Sequence, residues 1–343
     1  VLSIVFKLTP FSKAIKIYVF FLLISINFNV YANDSEFNEW KKNFKLIALE
    51  KGVSLKTIES TIDKSIFLKN VIKYDRYQPE FYEDTKTYIS KRANIKKVNS
   101  GLKIYKINKT KIDKITQEFS VDRDLLLSLM GIETNFGNYL GKMDIVSSLA
   151  TLSYDKRRSE FFTSELLTLL ILFDKGIINP NNYLGSWAGA FGNFQFMPST
   201  IKNYAIDYND DEIINLKNIE DSFASAANYL NNMGWDNKTP CFYKVELINE
   251  TPHKYLNTSA KQIKHKNKIS YLKKYIKNSK NLNDLDNLKA AIVTPDYDII
   301  PDAQKLTPAY LVFDNYELIL KWNRSLRFAL AVCTLKNKFK NAI

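Results

Sequence analysis

Apolar residues at helical spacing dominate the sequence after its first thirty or so residues. Between residues 35 and 116 they recur every three or four positions, as at Phe44 and Ile47, with few strand-like alternations. The stretch 120–134 is apolar around most of its circumference, which is typical of a buried helix. The pattern predicts a mainly α fold of the α+β class, with a helical N-terminal layer.

Changes of pattern divide the 343 residues into five segments. After residue 240, short β-branched stretches such as 243–248 and 291–294 mix with polar helical ones, which indicates a smaller mixed α/β insertion. The last residues return to a short strand and a final helix. The predicted segments are 1–32, a signal peptide; 33–119, a helical N-terminal region; 120–240, the core; 241–308, the insertion; and 309–343, a C-terminal return to the core.

The first segment has the pattern of an export signal. Three lysines up to Lys16 precede an apolar run at 17–26, and a small residue, Ala32, stands at the expected cleavage site. A membrane anchor is the alternative, but about ten strongly apolar residues are few against the roughly 20 that cross a bilayer. No cysteine that could carry a lipid follows the run. We therefore expect a periplasmic protein, monomeric, with peripheral association with the cell envelope.

Charge and cysteine content narrow the classes of partner. The net charge is +13, but the lysines are spread along the chain and no nucleic-acid-binding motif accompanies them, so no nucleic-acid partner is expected. Cys241 and Cys333 lack metal-type spacing, and they form either one disulfide or two buried thiols. His253 and His265 lie in a lysine-rich stretch, which argues against a histidine triad or a multi-histidine metal site.

Glu133 is the strongest catalytic candidate. It lies at the end of the apolar helix, where a carboxylate is costly to ionise and the protonated form is favoured. A protonated glutamic acid is the group that donates a proton to a glycosidic oxygen. The alternative is structural, with Glu133 capping a neighbouring helix or pairing with an arginine.

Several ordered motifs resemble the membrane-bound lytic murein transglycosylase B family. The resemblance runs from about residue 35 to the C-terminus and is weakest in the insertion. The matching stretches read GIETNFG at 131–137, KRRSEFF at 156–162, GSWAGAFG at 185–192 with QFMPS at 195–199, ANYL at 227–230, PAYLV at 308–312 and WNRS at 322–325.

The resemblance implies a lysozyme-like catalytic core at 120–240 and a defined reaction. Family members cleave the β-1,4 bond between N-acetylmuramic acid and N-acetylglucosamine in peptidoglycan, and the muramic 6-hydroxyl closes a 1,6-anhydro ring. One carboxylate, here Glu133, serves as acid and then as base, and no organic cofactor is required. The nearest downstream acids are Asp144, Asp155 and Glu160. The alternatives are a hydrolytic muramidase, which needs a second carboxylate, and a non-catalytic cell-wall-binding scaffold.

The resemblance also implies residues that bind the glycan strand. Two of them flank the sugar beside the catalytic acid, an arginine pair meets the lactyl or peptide side of muramic acid, and others line the cleft. The alternatives are that Ser186 is a turn residue, that the two arginines are a solvated surface pair and that Tyr229 is a core aromatic. The implied residues are Ser186, Gln195, Arg157, Arg158, Tyr229 and Asn323.

An acidic loop at 207–221 is a candidate site for a structural calcium ion. Oxygen donors at loop positions 1, 3 and 5 suit calcium, and the family carries a calcium loop at this place. Two departures indicate weak affinity: Glu212 replaces the turn glycine and Asn218 the usual bidentate glutamate. The implied ligands are Asp207, Asn209, Asp211, the Ile213 carbonyl and Asp221.

Overall fold

The computed structural model describes residues 35–78, 82–179, 183–297 and 299–343. The predicted signal peptide at 1–32 therefore lies outside the described residues. The helices are α1 (35–50), α2 (Leu55–Ser60), α3 (Lys69–Arg76), α4 (Thr85–Arg92), α5 (Ile95–Glu118), α6 (Arg123–Thr134), α7 (Ile145–Tyr154), α8 (Ser159–Asp174), α9 (Pro198–Tyr204), α10 (Ile219–Asn232), α11 (Ile269–Leu272), α12 (Asp314–Trp322) and α13 (Leu326–Lys340). Within the described residues, none of these helices is both long and apolar enough to cross a membrane.

Short strands complete the fold. They are β1 (Met143–Asp144), β2 (Leu184–Gly185), β3 (Phe242–Val245), β4 (Leu256–Asn257), β5 (Asn267–Lys268), β6 (Lys289–Val293) and β7 (Ala309–Val312). β1 and β2 pair with each other, and the other five strands form one sheet with the order β3-β7-β6-β4, to which β5 adds by pairing with β6. The prediction of an α+β fold with a dominant helical part is confirmed.

Helix α6 is the central helix of the core. Its residues from Leu125 to Gly131 are all buried, because the sequence offers apolar or small side chains on every face there. Helices α13, α5 and α10 pack around it. The helix stops where Asn135 and Phe136 adopt left-handed backbone angles, with φ of 50° and 60°.

The sheet of the insertion is buried on both faces. Ala291 and Val293 of β6 face the main core, whereas the intervening Ala290 and Ile292 face a second, smaller apolar cluster. This alternation follows from the two-residue period of a strand. β7, which follows the predicted insertion in sequence, lies between β3 and β6 in the middle of the sheet. The insertion and the C-terminal return are therefore joined by main-chain hydrogen bonds.

A buried polar cluster ties three parts of the chain together. Asp296 of the insertion accepts hydrogen bonds from the Thr85 backbone N–H at 3.0 Å and from the Thr85 hydroxyl at 2.5 Å. The same carboxylate pairs with Arg327 of α13 at 2.9 Å. Arg327 and Asp296 are only 2% and 6% exposed. Because an uncompensated buried charge is strongly destabilising, the N-terminal layer, the insertion and α13 are held in one arrangement.

A disulfide joins Cys241 to Cys333 and decides between the two alternatives left open by the sequence. The two Cα atoms lie 6.0 Å apart, and the bond closes a loop with a sequence separation of 92. It fastens the first strand of the insertion to α13, the helix that packs on α6.

We expect that replacing both cysteines by alanine lowers the free energy of unfolding by about 2–5 kcal/mol, because the unfolded chain regains the entropy of a long open loop. Chemical denaturation of the wild type and of the Cys241→Ala/Cys333→Ala variant measures the difference. A reducing agent should destabilise the wild type by a similar amount and leave the variant unchanged. Equal midpoints for the oxidised wild type and the variant would contradict the prediction.

Candidate active site

Glu133 lies on the last turn of α6 and is half-buried. The neighbouring Thr134 is fully buried, and its hydroxyl donates to the Asn193 carbonyl at 2.9 Å and accepts from the Gly137 N–H at 3.0 Å. The bond to Asn193 attaches the end of α6 to the loop at 185–197, here called the glycine-rich loop. The position of Glu133 is therefore set by the buried helix on one side and by this loop on the other.

Trp322 holds the Glu133 carboxylate. Its indole Nε1 donates to Glu133 Oε1 at 2.9 Å, across 189 positions in sequence. The Trp322 ring packs at 5.2–5.3 Å between centroids against Tyr229 and Phe196, which fixes the orientation of the indole. Trp322 was not among the site residues predicted from the sequence, although it heads the WNRS motif.

Two cavities lie on either side of this hydrogen-bonded pair. The larger has a volume of about 860 Å³ and is lined by Trp322, Gln195, Tyr229 and Arg158, but not by Glu133 itself. The smaller, of about 570 Å³, is lined by Glu133 together with Lys96 and Lys97 of α5. Trp322 lines one cavity and its partner Glu133 lines the other, so this hydrogen bond joins the linings of the two cavities.

The glycine-rich loop carries two of the predicted substrate residues. Ser186 is part of a tight turn, in which its hydroxyl accepts from the Ala190 N–H at 3.1 Å. Gln195 has a left-handed φ of 49°, and its amide donates to the Leu140 carbonyl at 3.3 Å and to the Gly192 carbonyl at 3.0 Å. Gln195 therefore lines the larger cavity from a fixed position.

Gly141 allows the segment after α6 to approach this loop. A Cβ atom at position 141 would lie 1.9 Å from the Gly185 carbonyl oxygen, and the φ of Gly141 is +91°. Both the close contact and the backbone angle require glycine. The packing of the two backbones here brings Ser186 next to the segment that follows α6.

Of two further predicted residues, Tyr229 lines the larger cavity and Asn323 does not. The Tyr229 ring lines the larger cavity and contacts Tyr204 at 4.5 Å between centroids, and burial raises the pKa of its hydroxyl. Asn323 follows Trp322 directly and ends α12. It is not among the residues that line either cavity.

The arginine pair is held by a buried carboxylate. Arg157 contacts Asp75 of α3 through Nε at 2.7 Å, and Arg158 contacts it at 2.5 Å. The Asp75 side chain is 1% exposed, whereas both guanidinium side chains are more than 40% exposed. Arg158 lines the larger cavity and Arg157 does not. The buried Asp75 thus anchors the two arginines, while the rest of each arginine side chain is exposed to solvent.

The other acidic side chains near the cleft have structural partners. Glu165 accepts from the Ser199 N–H at 2.8 Å and the Ser199 hydroxyl at 2.6 Å, and Glu317 is paired with Lys266. These two are the carboxylates that line the larger cavity. Of the acids named from the sequence, Asp144 caps α7 and Asp155 pairs with Arg76, while Glu160 is exposed.

The acidic loop folds around its own carboxylates. Asp207 accepts from the Asp211 and Glu212 N–H groups at 3.2 and 2.7 Å, and Glu212 adopts a φ of 66°, the left-handed turn for which glycine is usual. The buried Asp221 accepts from the Tyr208 and Asn215 N–H groups. In the described part of the chain, no cluster of three or more histidine, cysteine or acidic side chains is close enough to hold a metal ion.

A loop of the insertion also belongs to the candidate site. Its participation was not predicted from the sequence. Residues 260–263, between β4 and β5, line the larger cavity, and Ala260 and Ile263 pack on the main core. The Asn257 side chain fixes this loop by accepting from the Lys264 N–H at 2.7 Å and donating to the Lys264 carbonyl at 3.1 Å. No motif pointed to this loop, because the resemblance to the transglycosylase family is weakest in the insertion.

Comparisons with known proteins agree with this architecture. A similar protein is the membrane-bound lytic murein transglycosylase B of Escherichia coli strain K12, with 37% identity over 139 residues, which are 40% of this chain and 38% of that protein. The chain thus matches less than two fifths of the length of this relative.

Solved structures match over more of the chain. SltB3 from Pseudomonas aeruginosa, in complex with NAG-anhNAM-pentapeptide, superimposes with a TM-score of 0.77 at 28% identity and covers 89% of this chain and 79% of that one. The Escherichia coli lytic transglycosylase Slt35, in complex with calcium, gives a TM-score of 0.73 at 24% identity and covers 91% and 95%, which supports the fold. The family model described as "Transglycosylase SLT domain" matches residues 36–337. The chain therefore belongs to the transglycosylase SLT domain family.

Proposed function

We propose that this protein is a lytic transglycosylase that cleaves the β-1,4 bond between N-acetylmuramic acid and N-acetylglucosamine in peptidoglycan and forms 1,6-anhydromuramic acid. The observation that carries the proposal is Glu133, which is half-buried in the lining of the smaller cavity and held by the indole of Trp322, a residue that lines the larger one. Family membership and the similarity to SltB3, which was solved with NAG-anhNAM-pentapeptide, support it.

In the proposed mechanism Glu133 is the general acid and then the general base. The protonated carboxyl group gives its proton to the leaving glycosidic oxygen, and the resulting carboxylate accepts the proton of the muramic 6-hydroxyl as that oxygen attacks C1. The bond from C1 to the leaving oxygen breaks and the bond to O6 forms, so no water is consumed. The Trp322 N–H holds Oε1 and stabilises the carboxylate after proton transfer.

The partners of the other acidic groups favour this reaction over hydrolysis by two carboxylates. An inverting or retaining glycosidase needs a second carboxylate as base or nucleophile. Glu165 is committed to the N-terminus of α9 and Glu317 to Lys266, so neither is placed for that role. Ser186, Gln195, Tyr229 and Asn323, with Arg157 and Arg158 beside them, are the proposed glycan-binding residues.

The products of digestion test the reaction. We expect the protein to release fragments with 1,6-anhydromuramic ends from purified peptidoglycan, and Glu133→Gln to lower the rate at least about a hundredfold because the proton donor is lost. Mass spectrometry of the soluble fragments measures both. Reducing ends in place of anhydro ends would identify a muramidase. Binding to the wall without release of fragments by the wild type would identify a scaffold protein.

The role of Trp322 has its own test. We expect Trp322→Phe to lower kcat about tenfold, with a smaller effect on KM, because the ring remains and only the N–H donor to Glu133 is lost. Trp235→Phe is the matched control, since the Trp235 indole donates to Asn237, away from the described cavities. Steady-state kinetics on soluble glycan strands distinguish the two. Equal kcat losses in both variants would show that the effect is only structural.

We propose that the acidic loop binds one structural calcium ion weakly. The oxygen donors are Asp207, Asn209, Asp211, the Ile213 carbonyl and Asp221, which are hard ligands of the kind calcium prefers. The left-handed turn at Glu212 and the Asp207 contacts with two backbone N–H groups support a loop of the required curvature. Among the described residues no three acidic side chains are close enough to hold a metal ion, so the Asp207, Asp211 and Asp221 carboxylates would have to move together when calcium binds. A solved relative, Slt35, was obtained in complex with calcium. The ion would stabilise the loop and supply no step of the reaction.

Thermal unfolding tests calcium binding. With a dissociation constant of about 1 mM, 10 mM calcium should raise Tm by roughly 3 °C. Asp211→Asn should remove this rise. Asp210→Asn is the matched control, because it removes a charge from the same loop without removing a proposed ligand, and asparagine tolerates the left-handed φ of 56° found there. An equal rise with magnesium, or in Asp211→Asn, would contradict the site.

We also propose that the protein acts in the periplasm as a monomer associated peripherally with the cell envelope. The Cys241–Cys333 disulfide supports an oxidising compartment outside the cytoplasm. The similarity to a membrane-bound murein transglycosylase and to SltB3 supports the same location.

A further inference from the structure

A lysine side chain reaches the last turn of the helix that carries Glu133. Lys97, near the start of α5, donates through Nζ to the carbonyl of Gly131, two residues before Glu133. Lys97 and Glu133 both line the smaller cavity. The contact therefore places an ammonium group at the C-terminal end of α6, where the carbonyl groups of a helix carry partial negative charge.

Two glycines let α5 and α6 approach each other at this point. A Cβ atom at Gly131 would lie 2.7 Å from Cζ of Phe136, and a Cβ atom at Gly101 would lie 2.9 Å from the same atom. Gly101 comes one helical turn after Lys97 and so lies on the same side of α5. The Asn94 side chain, which accepts from the Lys97 N–H at 3.0 Å, fixes the first turn of α5. The packing of the two helices thus directs the lysine at the end of α6.

An ammonium group is costly in this position. Lys97 is half-buried, and burial, together with the charge of Arg92, lowers the pKa of its side chain. None of the ion pairs in the described part of the chain gives Lys97 a carboxylate partner. Water or an uncharged donor would satisfy a helix carbonyl without this cost. The charge itself therefore indicates a role, and Glu133 supplies the carboxyl group in the lining of the same cavity.

The other charged or titratable groups packed around the smaller cavity are exposed, paired with a carboxylate or bonded to a different carbonyl. They are Lys96 and Tyr139, which are exposed; Lys91 and Arg92, which pair with Glu83; and Lys338 of α13, which donates to the Ala93 carbonyl at 2.6 Å. Lys97 differs from them because its ammonium group is bonded to the helix end that carries Glu133.

We infer that Lys97 is a positioning residue for Glu133: its ammonium group holds the last turn of α6 and stabilises the carboxylate that Glu133 carries between the two proton transfers. The inference rests on the proposed function, because it concerns the same acid and base. A nearby positive charge in a partly buried site favours the ionised form of an acid. The Trp322 N–H donates to one carboxylate oxygen from the lining of the larger cavity, and Lys97 supplies positive charge from the lining of the smaller one.

The pH dependence of the reaction tests this role. The alkaline limb of kcat/KM reports the loss of the Glu133 proton in the free protein. Without the charge of Lys97, Glu133 keeps its proton to higher pH, so we expect Lys97→Met to move this limb upwards by about 0.5 to 1 pH unit. Glu133 is then a weaker acid, and kcat on the plateau should fall about fivefold. Lys97→Arg keeps the charge and should keep the wild-type limb.

Lys103→Met is the matched control, because Lys103 is an exposed lysine of the same helix that lines neither of the described cavities. We expect its pH profile to match that of the wild type. If Lys97 only capped α6, Lys97→Met would change Tm and kcat without moving the alkaline limb, and this result would overturn the inference. The same shift in Lys103→Met or in Lys97→Arg would also overturn it.

A direct titration of Glu133 separates this inference from the proposed reaction. The carboxyl carbon of Glu133 in isotope-labelled protein is followed by NMR against pH, and the signal that is missing in Glu133→Gln identifies it. We expect its midpoint to be higher in Lys97→Met than in the wild type by about 0.5 to 1 pH unit. If this difference is found while the wild type releases no anhydro products, the proposed reaction fails and the electrostatic contact stands. Equal midpoints in the two proteins overturn the inference, whichever products are formed.

Discussion

The structure depends on the burial of helix α6. A helix whose side chains are apolar on every face has no solvent side, so other elements must surround it, and α13, α5 and α10 do so. Its last turn emerges at the surface of this core and carries Glu133. The position of Glu133 is thus defined by a helix that is buried along most of its length, and close packing leaves such a helix little room to shift.

Distant segments converge on that helix end through a small number of polar contacts. The Thr134 hydroxyl attaches the glycine-rich loop, and the Trp322 indole reaches Glu133 from the C-terminal part of the chain. The Asp296–Arg327 pair and the Cys241–Cys333 disulfide fix the insertion and α13 in the same arrangement. Because these contacts join segments that are distant in sequence, they hold the linings of the two cavities in fixed positions relative to the Glu133 carboxyl group.

The carboxylates around the cleft are distributed in a way that matches one-carboxylate chemistry. Asp75 pairs with both arginines, Glu165 caps α9 and Glu317 holds the insertion loop through Lys266. Each of these three carboxylates has a structural partner, which leaves Glu133 as the proposed general acid.

The sequence by itself determined the helical class, the buried helix and Glu133 at its end, because these follow from the periodicity of apolar residues and from local motifs. It also indicated Gln195, Tyr229 and Arg158, which the structure brings to one cavity. The tertiary structure alone decided the disulfide, the Trp322–Glu133 hydrogen bond, the place of β7 in the sheet and the part of the insertion loop in the cleft. Each of these joins residues far apart in the chain, and local propensity carries no information about which distant groups meet when the core closes.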